Sequence, residues 1–501
     1  MGRSMFKQSI RMCTLAAFMT INIGCASLGI KSTPWPNYTS THDEKAVKFI
    51  RGVPVVKSGL YSDKTHKTNY ADDDQQVIGI TVSGGGMRAA AFALGVLEGL
   101  ENSKVIDNVD FISTNSGGGW GVAAYLTERA AHTGPTAYDL TRQRGTISKK
   151  FESMSEGKIK CLHSSISDHI TNQKTFGEIF KKEKNLPDHF VNAALLPSEK
   201  GFVFNKAYLE YYRVKQLDAC KEKYDQQVSI DLDKGYKNAL QNLPYGFAVA
   251  TSGSVPLFYS ATAKTAICDS GSYLYDSSFC SEGRFNATEL HIVDGGIHDN
   301  HAYKTAAEIF SGYDCNSKSI KCKLIIIDST TNIISPLILP EDNKARGLAF
   351  GFGTGSGFSG QDATAARLRD ALFEAQGVKT ILLDFFAAAN LDDVDFTNLD
   401  SKENFEGLNH LKAFITHKVD CFDDENKKEI IKADFKNLNS KKAIGQFKRR
   451  SESDDCLRNN VYRAGTIAKT TYDYDAKAGM FPVVWDLGVF VARRLESKLK
   501  Q

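Results

Sequence analysis

The chain has 501 residues, of which 42% are hydrophobic and 24% charged, the balance of a globular protein with one large domain or two smaller ones. Its formal net charge is +3, and three positive charges, Arg3, Lys7 and Arg11, lie in the first 25 residues, which hold no acidic residue. Without that segment the chain would be neutral, so no nucleic acid is indicated as a partner.

The N-terminal segment has the pattern of a secretory signal. A basic start, MGRSMFKQSIR, precedes the apolar stretch MCTLAAFMTINI and the small residues GCAS. The apolar stretch is shorter than the roughly 20 residues of a membrane-spanning helix. The sequence around Cys25 resembles the lipobox of bacterial lipoproteins, although Asn22 stands where that pattern prefers an aliphatic residue. We expect residues 1–25 to be a signal peptide, Cys25 to be lipidated, and the protein to be an outer-membrane or periplasmic lipoprotein. A plain cleaved signal and an uncleaved anchor are the alternatives.

The cysteines agree with export to an oxidising compartment. Eight of the 10 cysteines lie beyond residue 25, an even number that suits disulfides, and no CxxC indicates zinc. Pairing sequence neighbours would give 161–220, 268–280, 315–322 and 421–456. Other connectivities and buried free thiols remain open. The sequons at Asn37 and Asn286 leave a eukaryotic secreted chain as a further alternative.

The elements predicted along the chain alternate between strands and helices. Residues 26–75 are polar and predict a tether and an N-terminal arm. VIGITV at 77–82 predicts a strand, and AAAFALGVLEGL at 89–100 predicts a buried helix. VDFIS at 109–113 predicts a second strand, and the run from Gly119 a second helix. A glycine turn separates strand from helix each time, which is the pattern of a parallel α/β sheet.

Three later regions carry weaker signals. Residues 140–245 are polar and rich in lysine, and predict a cap of helices and loops inserted over the sheet. The stretch 347–361 alternates glycine with phenylalanine, and is either a mobile flap beside a site or a flexible connection. Apolar residues at helical spacing over 484–499 predict a C-terminal helix that packs on the core.

The first glycine turn, SGGGMR at 83–88, joins a predicted strand to a predicted helix. Glycines allow positive φ and close approach to the main chain, and N–H groups at a helix start point outward. Such a turn can hold a phosphate or form an oxyanion hole. GxxxxGK[ST] is absent, and G-x-G-x-x-G fails at Ala89, so a nucleotide is not indicated.

The second glycine turn, STNSGGGWG at 113–121, places Ser116 between a predicted strand and a predicted helix. That is the place of the serine in a nucleophile elbow, G-x-S-x-G, with Thr114 here replacing the first glycine. A structural turn is the alternative. A base is available in HIVDGGIHDN, where Asp294 ends an apolar run at the edge of the predicted sheet.

These motifs together resemble a family. SGGGMR, TNSGG and DGG, in that order, are similar to the motifs of the patatin-like phospholipases, closest to the cytosolic phospholipase A branch and the fungal phospholipases B. ATSGSVPLFY at 250–259 and Asn300 also match, and the resemblance covers roughly residues 76–330. It implies an α/β protein, a patatin-like three-layer α/β/α fold with a mainly parallel central sheet and a helical cap insertion. Residues 76–501 would be its catalytic domain.

The resemblance implies a phospholipase A or lysophospholipase with a Ser–Asp dyad, no metal and no cofactor. Ser116 would attack the ester carbonyl of a phospholipid or lysophospholipid at a membrane surface. Asp294 would take the proton of Ser116 and later activate water.

The first glycine turn has an implied role in the same reaction. Gly84, Gly85 and Gly86 would supply the oxyanion-hole N–H groups. Arg88 would bind the substrate phosphate or help to position the glycine loop, because a guanidinium is well suited to phosphate. A structural salt bridge of Arg88 is the alternative.

Two other interpretations remain open. A Ser–His–Asp triad would use His291, His298 or His301, which lie near Asp294 in sequence. A non-catalytic envelope lipoprotein with a degenerate hydrolase fold would bind lipid or a protein partner, and Thr114 in the elbow motivates this interpretation.

Overall fold

The computed structural model describes most of the region that carries the motifs. The described residues are 75–132, 138–156, 161–181, 186–196, 200–205, 209, 214–220, 228–232, 239–254, 261–265, 288–311, 313, 315–316, 320–329, 373–374, 376–384, 406–417, 480–496 and 499. The predicted signal segment with Cys25, the tether up to residue 74 and the stretch 347–361 lie outside these ranges.

Strands and helices alternate through the first part of the described chain. The strands are β1 (Gln75–Val82), β2 (Phe111–Asn115), β3 (Asp188–Leu196), β4 (Lys200–Phe204), β5 (Val214–Ala219), β6 (Val228–Asp231), β7 (Ala261–Thr265), β8 (Thr288–Asp294), β9 (Ile320–Asp328) and β10 (Lys379–Asp384). The α-helices are α1 (Gly86–Asn102), α2 (Ser116–Ala131), α3 (Leu140–Glu156), α4 (Leu162–Ser165), α5 (Phe176–Ile179), α6 (Ala239–Asn242), α7 (Tyr245–Ser252), α8 (Gly296–Asp299), α9 (Tyr303–Ser311), α10 (Asn409–His417) and α11 (Met480–Arg494).

The strands join in one sheet with the order β10-β9-β1-β2-β3-β8-β7-β5-β6, and β4 pairs with β3 outside this path. The first five strands of this order are parallel to one another. The pairs from β3 to β6 are antiparallel. The strands that carry both glycine turns therefore lie in the parallel part, at the centre of the sheet.

Helices cover both faces of the parallel strands, as the side chains that alternate along β9 show. Ile325 and Ile327 belong to a core that includes α1, α2 and α11, whereas Leu324 and Ile326 belong to a second core that includes α9. Because neighbouring side chains of a strand point to opposite faces, helices pack on both sides of the sheet. The predicted three-layer α/β/α architecture is confirmed.

The segment predicted as a cap, about 140–245, needs a correction. Its described residues form helices α3 to α6, but they also form β3 to β6, which belong to the main sheet. The prediction of helices and loops alone missed the short apolar run at 190–196, FVNAALL, inside a polar, lysine-rich region. Such a short run is a weak strand signal until its neighbours in the sheet are known.

The predicted C-terminal helix is α11, and it packs directly on α1. A buried charge cluster fixes this contact: Arg144 of α3 pairs with Glu98 of α1 at 2.9 Å and also with Asp486 of α11. Trp485 Nε1 donates to Glu98 Oε2 at 2.7 Å, and Asp486 accepts two backbone N–H groups from the first turn of α10. Helix α11 therefore belongs to the same core as the motifs.

Two of the four predicted disulfides fall within the described residues, and both are present: Cys161–Cys220 and Cys315–Cys322. The cysteines of the pairs 268–280 and 421–456 lie outside the described ranges. In the part of the chain that the structure describes, no helix is long and apolar enough to span a bilayer.

Candidate active site

Ser116 stands at a sharp turn between a strand and a helix. It is the first residue of α2, directly after β2, and its backbone has a left-handed conformation with φ 48°. This conformation is unfavourable for a residue with a side chain, and a nucleophile elbow holds its serine on such a strained turn. The structure therefore gives Ser116 the local geometry that the sequence predicted.

The two glycine turns pack backbone against backbone. A Cβ on Gly117 would lie 2.0 Å from the carbonyl oxygen of Gly86, and one on Gly118 would lie 2.4 Å from that of Ser83. Gly85 and Gly86 have positive φ, 143° and 59°, as the turn into α1 requires. The glycines of the second SGGG run, at 116–119, are therefore needed for close contact with the first run, at 83–86. This contact brings the first turn beside Ser116.

Ser116 and Asp294 meet across the sheet. The hydroxyl of Ser116 donates a hydrogen bond to Asp294 Oδ2 at 2.9 Å, and Asp294 Oδ1 accepts from the N–H of Gly296 at 2.7 Å. Both side chains are largely buried, with Ser116 8% and Asp294 9% exposed. This is the arrangement that a nucleophilic serine needs, with a group able to accept its proton within hydrogen-bond distance.

Asp294 reaches this point from a direction that the sequence did not indicate. Strand β3 pairs with β2 as far as Asn192 opposite Asn115, and then continues beyond the edge of the parallel strands. There β8 pairs with β3 antiparallel, with Asp294 opposite Ala193. The C-terminal end of β8 thus comes back to the edge where β2 ends, which places the carboxylate beside Ser116.

The environment of Asp294 changes its acidity. Burial raises the pKa of its carboxyl to about 6, although the hydrogen bonds from the Gly296 N–H and the Ser116 hydroxyl oppose this rise. A carboxylate with a raised pKa is a stronger base, yet it is still mostly ionised at neutral pH. Asp294 is therefore suited to accept the proton of Ser116.

The elbow accommodates Thr114 in place of a glycine. Its Oγ1 is 2.7 Å from Nε2 of the buried His189, whose Nδ1 contacts the hydroxyl of Tyr245. On the other side, a Cβ on Gly119 would lie only 2.9 Å from Thr114 Oγ1. The glycine that makes room in this turn is therefore Gly119, and the threonine hydroxyl has a buried partner.

Comparison with known proteins agrees with this geometry. Residues 80–307 match the family model described as patatin-like phospholipase, and the match contains both glycine turns, Ser116 and Asp294. The chain contains a patatin-like phospholipase domain over these residues.

Individual relatives are distant. The chain is 24% identical to the cytosolic phospholipase A2 gamma of Homo sapiens over 164 residues. The aligned residues make up 32% of this chain and 28% of that protein. Human GIVD cytosolic phospholipase A2, a solved structure, has 11% identity and a TM-score of 0.32, with 92% of this chain and 64% of that chain covered. The chain thus spans less than two thirds of either relative.

The glycine loop of this patatin-like domain differs in one detail from the predicted oxyanion hole. The N–H of Gly84 donates to the carbonyl oxygen of Asn300 at 2.8 Å, so it is not available to a substrate in this conformation. We therefore correct the predicted set: the oxyanion role falls on Gly85 and Gly86, where it stays a prediction. Asn300, matched to the family motif without a role, holds this loop in place.

A second contact that the sequence did not reveal fixes the same loop. Ser329, directly after β9, donates from its hydroxyl to the carbonyl oxygen of Gly84 at 3.1 Å. Its N–H donates to Ser83 Oγ at 2.8 Å. The only signal in the sequence is that Ser329 follows the apolar run KLIIID, which is common to many strand ends.

Arg88 lies in the first turn of α1, and only 5% of it is exposed. Its Nη2 would be 3.6 Å from a Cβ on Gly85, so the guanidinium lies beside the glycine loop. This position fits the alternative in which Arg88 positions the loop. Binding of a substrate phosphate by Arg88 stays a prediction.

None of the three histidines near Asp294 in sequence is the hydrogen-bond partner of the Ser116 hydroxyl. His301 Nε2 lies 3.4 Å from Asp328 Oδ2, and His298 Nε2 is 3.3 Å from the side-chain nitrogen of Lys304. His291 is exposed on β8. The hydroxyl of Ser116 instead donates to Asp294, which favours the dyad over a triad.

One cluster among the described residues has the composition of a metal site. Ligand atoms of Cys161, His163 and Cys220 lie within 4.8 Å of one another. However, the two sulfur atoms are joined in a disulfide, which leaves only the imidazole as a ligand. Burial also lowers the pKa of His163 to about 3, so the ring is neutral.

Proposed function

We propose that the protein is a serine lipid acyl hydrolase, a phospholipase A or lysophospholipase that cleaves fatty-acyl esters through an acyl-enzyme intermediate. The observation that carries this proposal is the 2.9 Å hydrogen bond from the Ser116 hydroxyl to Asp294, formed at a strained elbow beside a glycine loop. The match of residues 80–307 to the patatin-like phospholipase family model supports lipid ester hydrolysis in general.

The reaction would proceed in two halves. Ser116 Oγ attacks the ester carbonyl while its proton passes to Asp294 Oδ2, and the resulting oxyanion accepts hydrogen bonds from the glycine loop. The tetrahedral intermediate collapses, and Asp294 gives its proton to the departing alcohol. Water then attacks the acyl-enzyme, Asp294 takes the proton of that water, and the proton returns to Ser116 as the fatty acid leaves.

The proposed substrate class is phospholipid or lysophospholipid at a membrane surface. The names of the family model and of the curated human relative support this class, and the side chain of Arg88 beside the loop supplies a positive charge near the developing anion.

The test is release of fatty acid from mixed phospholipid vesicles by the full-length protein in detergent. Ser116→Ala and Asp294→Asn should each lower the rate by at least about 10³-fold, because each removes one member of a unit. Ser103→Ala, a serine at the far end of α1 that bonds the carbonyl of Leu100, is the matched control and should keep the wild-type rate.

Labelling with a fluorophosphonate identifies the nucleophile in the same preparations. Ser116 should be labelled in the wild type and not in Ser116→Ala. A folded wild-type protein that releases no fatty acid and takes no label would refute the hydrolase. It would favour instead a non-catalytic envelope lipoprotein that keeps the fold and binds lipid or a protein partner.

We also propose that the protein is exported and anchored in a bacterial cell envelope through a lipidated Cys25. The signal pattern of residues 1–25 supports this proposal, and the two disulfides agree with an oxidising compartment. Metabolic labelling with palmitate, followed by membrane fractionation, tests it: Cys25→Ser should lose both the label and the membrane association. Equal labelling of the two proteins would contradict lipidation at Cys25.

A further inference from the structure

Ser252, the last residue of α7, lies between the two members of the candidate dyad. Its Oγ accepts a hydrogen bond from the N–H of Ser116 at 2.9 Å, and its carbonyl oxygen accepts from the N–H of Gly295 at 3.1 Å. Two residues later, the carbonyl oxygen of Ser254 accepts from the N–H of Asp294 at 2.8 Å. We propose that Ser252 is a positioning residue that holds Ser116 against Asp294, an inference that rests on the proposed function.

The N–H of Ser116 needs a partner from outside its own helix. As the first residue of α2, Ser116 cannot donate to a carbonyl one turn earlier in that helix. The side chain of an N-cap residue reaches the N–H of the second or third helical residue, so Asn115 does not serve the N–H of Ser116, and it makes no side-chain cap hydrogen bond. The hydroxyl of Ser252, from another element, takes this place.

The same hydrogen bond acts on a strained residue. A non-glycine residue in the left-handed region persists only where its surroundings hold it there. Ser116 has φ 48°, and the hydrogen bond to Ser252 fixes its backbone in that conformation. Because the backbone sets the position of the Ser116 Cβ, from which Oγ extends, Ser252 also keeps the hydroxyl within reach of Asp294.

A third residue orients the hydroxyl of Ser252. The hydroxyl lies 3.5 Å from Asn115 Oδ1, to which it donates, so its lone pairs remain for the N–H of Ser116. Asn115 is itself held, because its Nδ2 donates to the carbonyl oxygen of Asp299 at 2.6 Å. These contacts tie the turn before α2 to the turn after β8, and Ser252 lies between them.

Helix α7 is a firm support for this contact. Ser252 is fully buried, as is the neighbouring Thr251, whose hydroxyl is 3.0 Å from Nε2 of His163. At the start of the helix, Tyr245 contacts His189, which in turn contacts the elbow threonine. Both ends of α7 are therefore linked by buried polar groups to the surrounding elements.

The first test compares steady-state kinetics of Ser252→Ala with the wild type on a soluble fatty-acyl ester. We expect kcat to fall about 10- to 100-fold with KM nearly unchanged, because a small displacement of a nucleophile affects the chemical step rather than binding. The acidic limb of the pH profile should move to higher pH, because the hydrogen bond from Ser116 lowers the pKa of Asp294 and would be weakened. Ser252→Thr, which returns an Oγ, should recover part of kcat.

The matched control is Thr251→Val, which removes an equally buried hydroxyl from the preceding position of α7. Thr251 Oγ1 bonds His163 and the carbonyl oxygen of Phe247 and contacts neither Ser116 nor Asp294. We expect this variant to keep the wild-type kcat and pH profile. A role of Ser252 in packing alone would instead give the two variants similar losses.

The second test does not depend on activity. Hydrogen–deuterium exchange resolved at the Ser116 amide should be at least about tenfold faster in Ser252→Ala than in Thr251→Val, because only the former removes the acceptor. Wild-type kcat or unchanged exchange at Ser116 in Ser252→Ala overturns the inference. If the wild type itself hydrolyses no ester, the proposed function fails, and unchanged exchange at Ser116 would then overturn the link to Ser252 separately.

Discussion

The raised pKa of Asp294 has a direct consequence for the pH dependence of the proposed reaction. The base must be ionised to accept the proton of Ser116, and burial raises its pKa from 3.8 to about 6. Activity should therefore be full above the pKa and lost as the pH falls through it. We predict an acidic limb of kcat/KM with an apparent pKa near 6, which belongs to the free enzyme.

The size of the effect follows from the ionised fraction. With a pKa of about 6, only about a tenth of the Asp294 carboxyl is ionised at pH 5, against about nine tenths at pH 7. The rate should thus fall about tenfold between these values. With the ordinary pKa of 3.8, more than about nine tenths would be ionised at both, and the rate would hardly change.

The assay uses a soluble fluorogenic fatty-acyl ester, so that the pH does not alter a lipid surface, with the full-length protein in detergent. His163 and His189 do not explain a limb near pH 6, because burial lowers the pKa of each to about 3. A limb at about pH 4, or no limb above it, would refute the argument that a buried Asp294 is the base. A limb that disappears in a histidine variant would refute it as well.

Two further predictions use the same protein. The first is that replacing His291, His298 or His301 by alanine leaves fatty-acid release within about tenfold of the wild type, because the hydroxyl of Ser116 donates its hydrogen bond to a carboxylate. A loss of about 10³-fold in one of these variants would instead support a Ser–His–Asp triad. Gly95→Ala should destabilise the fold by about 1–3 kcal/mol or more, because its Cβ would lie 2.0 Å from a backbone carbonyl oxygen of α11. Gly145→Ala, with nothing within 4 Å of its Cβ, should instead stabilise it by about 0.5–1 kcal/mol. Chemical denaturation measures the free energy of unfolding of both variants. Equal changes in the two variants would contradict the close packing of α1 on α11.

The sequence predicted the parts of the fold that depend on neighbours in the chain. The run 77–82 and the helix that follows have the right composition and order, and the structure extends them by only a few residues, as β1 and α1. The position of Ser116 at the end of a strand could be predicted for the same reason. Strands β3 to β6 could not, because their weak local signals are resolved only by pairing with distant strands.

In the site, too, local sequence predicted some features, whereas others depend on contacts between distant segments. For this reason a motif match alone does not assign a role to each residue. The motifs located Ser116 and Asp294, and Ser252 lies within the matched segment 250–259, but the hydrogen bond by which Ser252 holds Ser116 is not revealed by any spacing. Gly84 illustrates the converse, because its motif predicts an oxyanion donor, yet the carbonyl of Asn300 takes its N–H. Which N–H groups remain for a substrate is therefore decided by the packing of the two glycine turns, and the count of glycines in SGGG does not determine it.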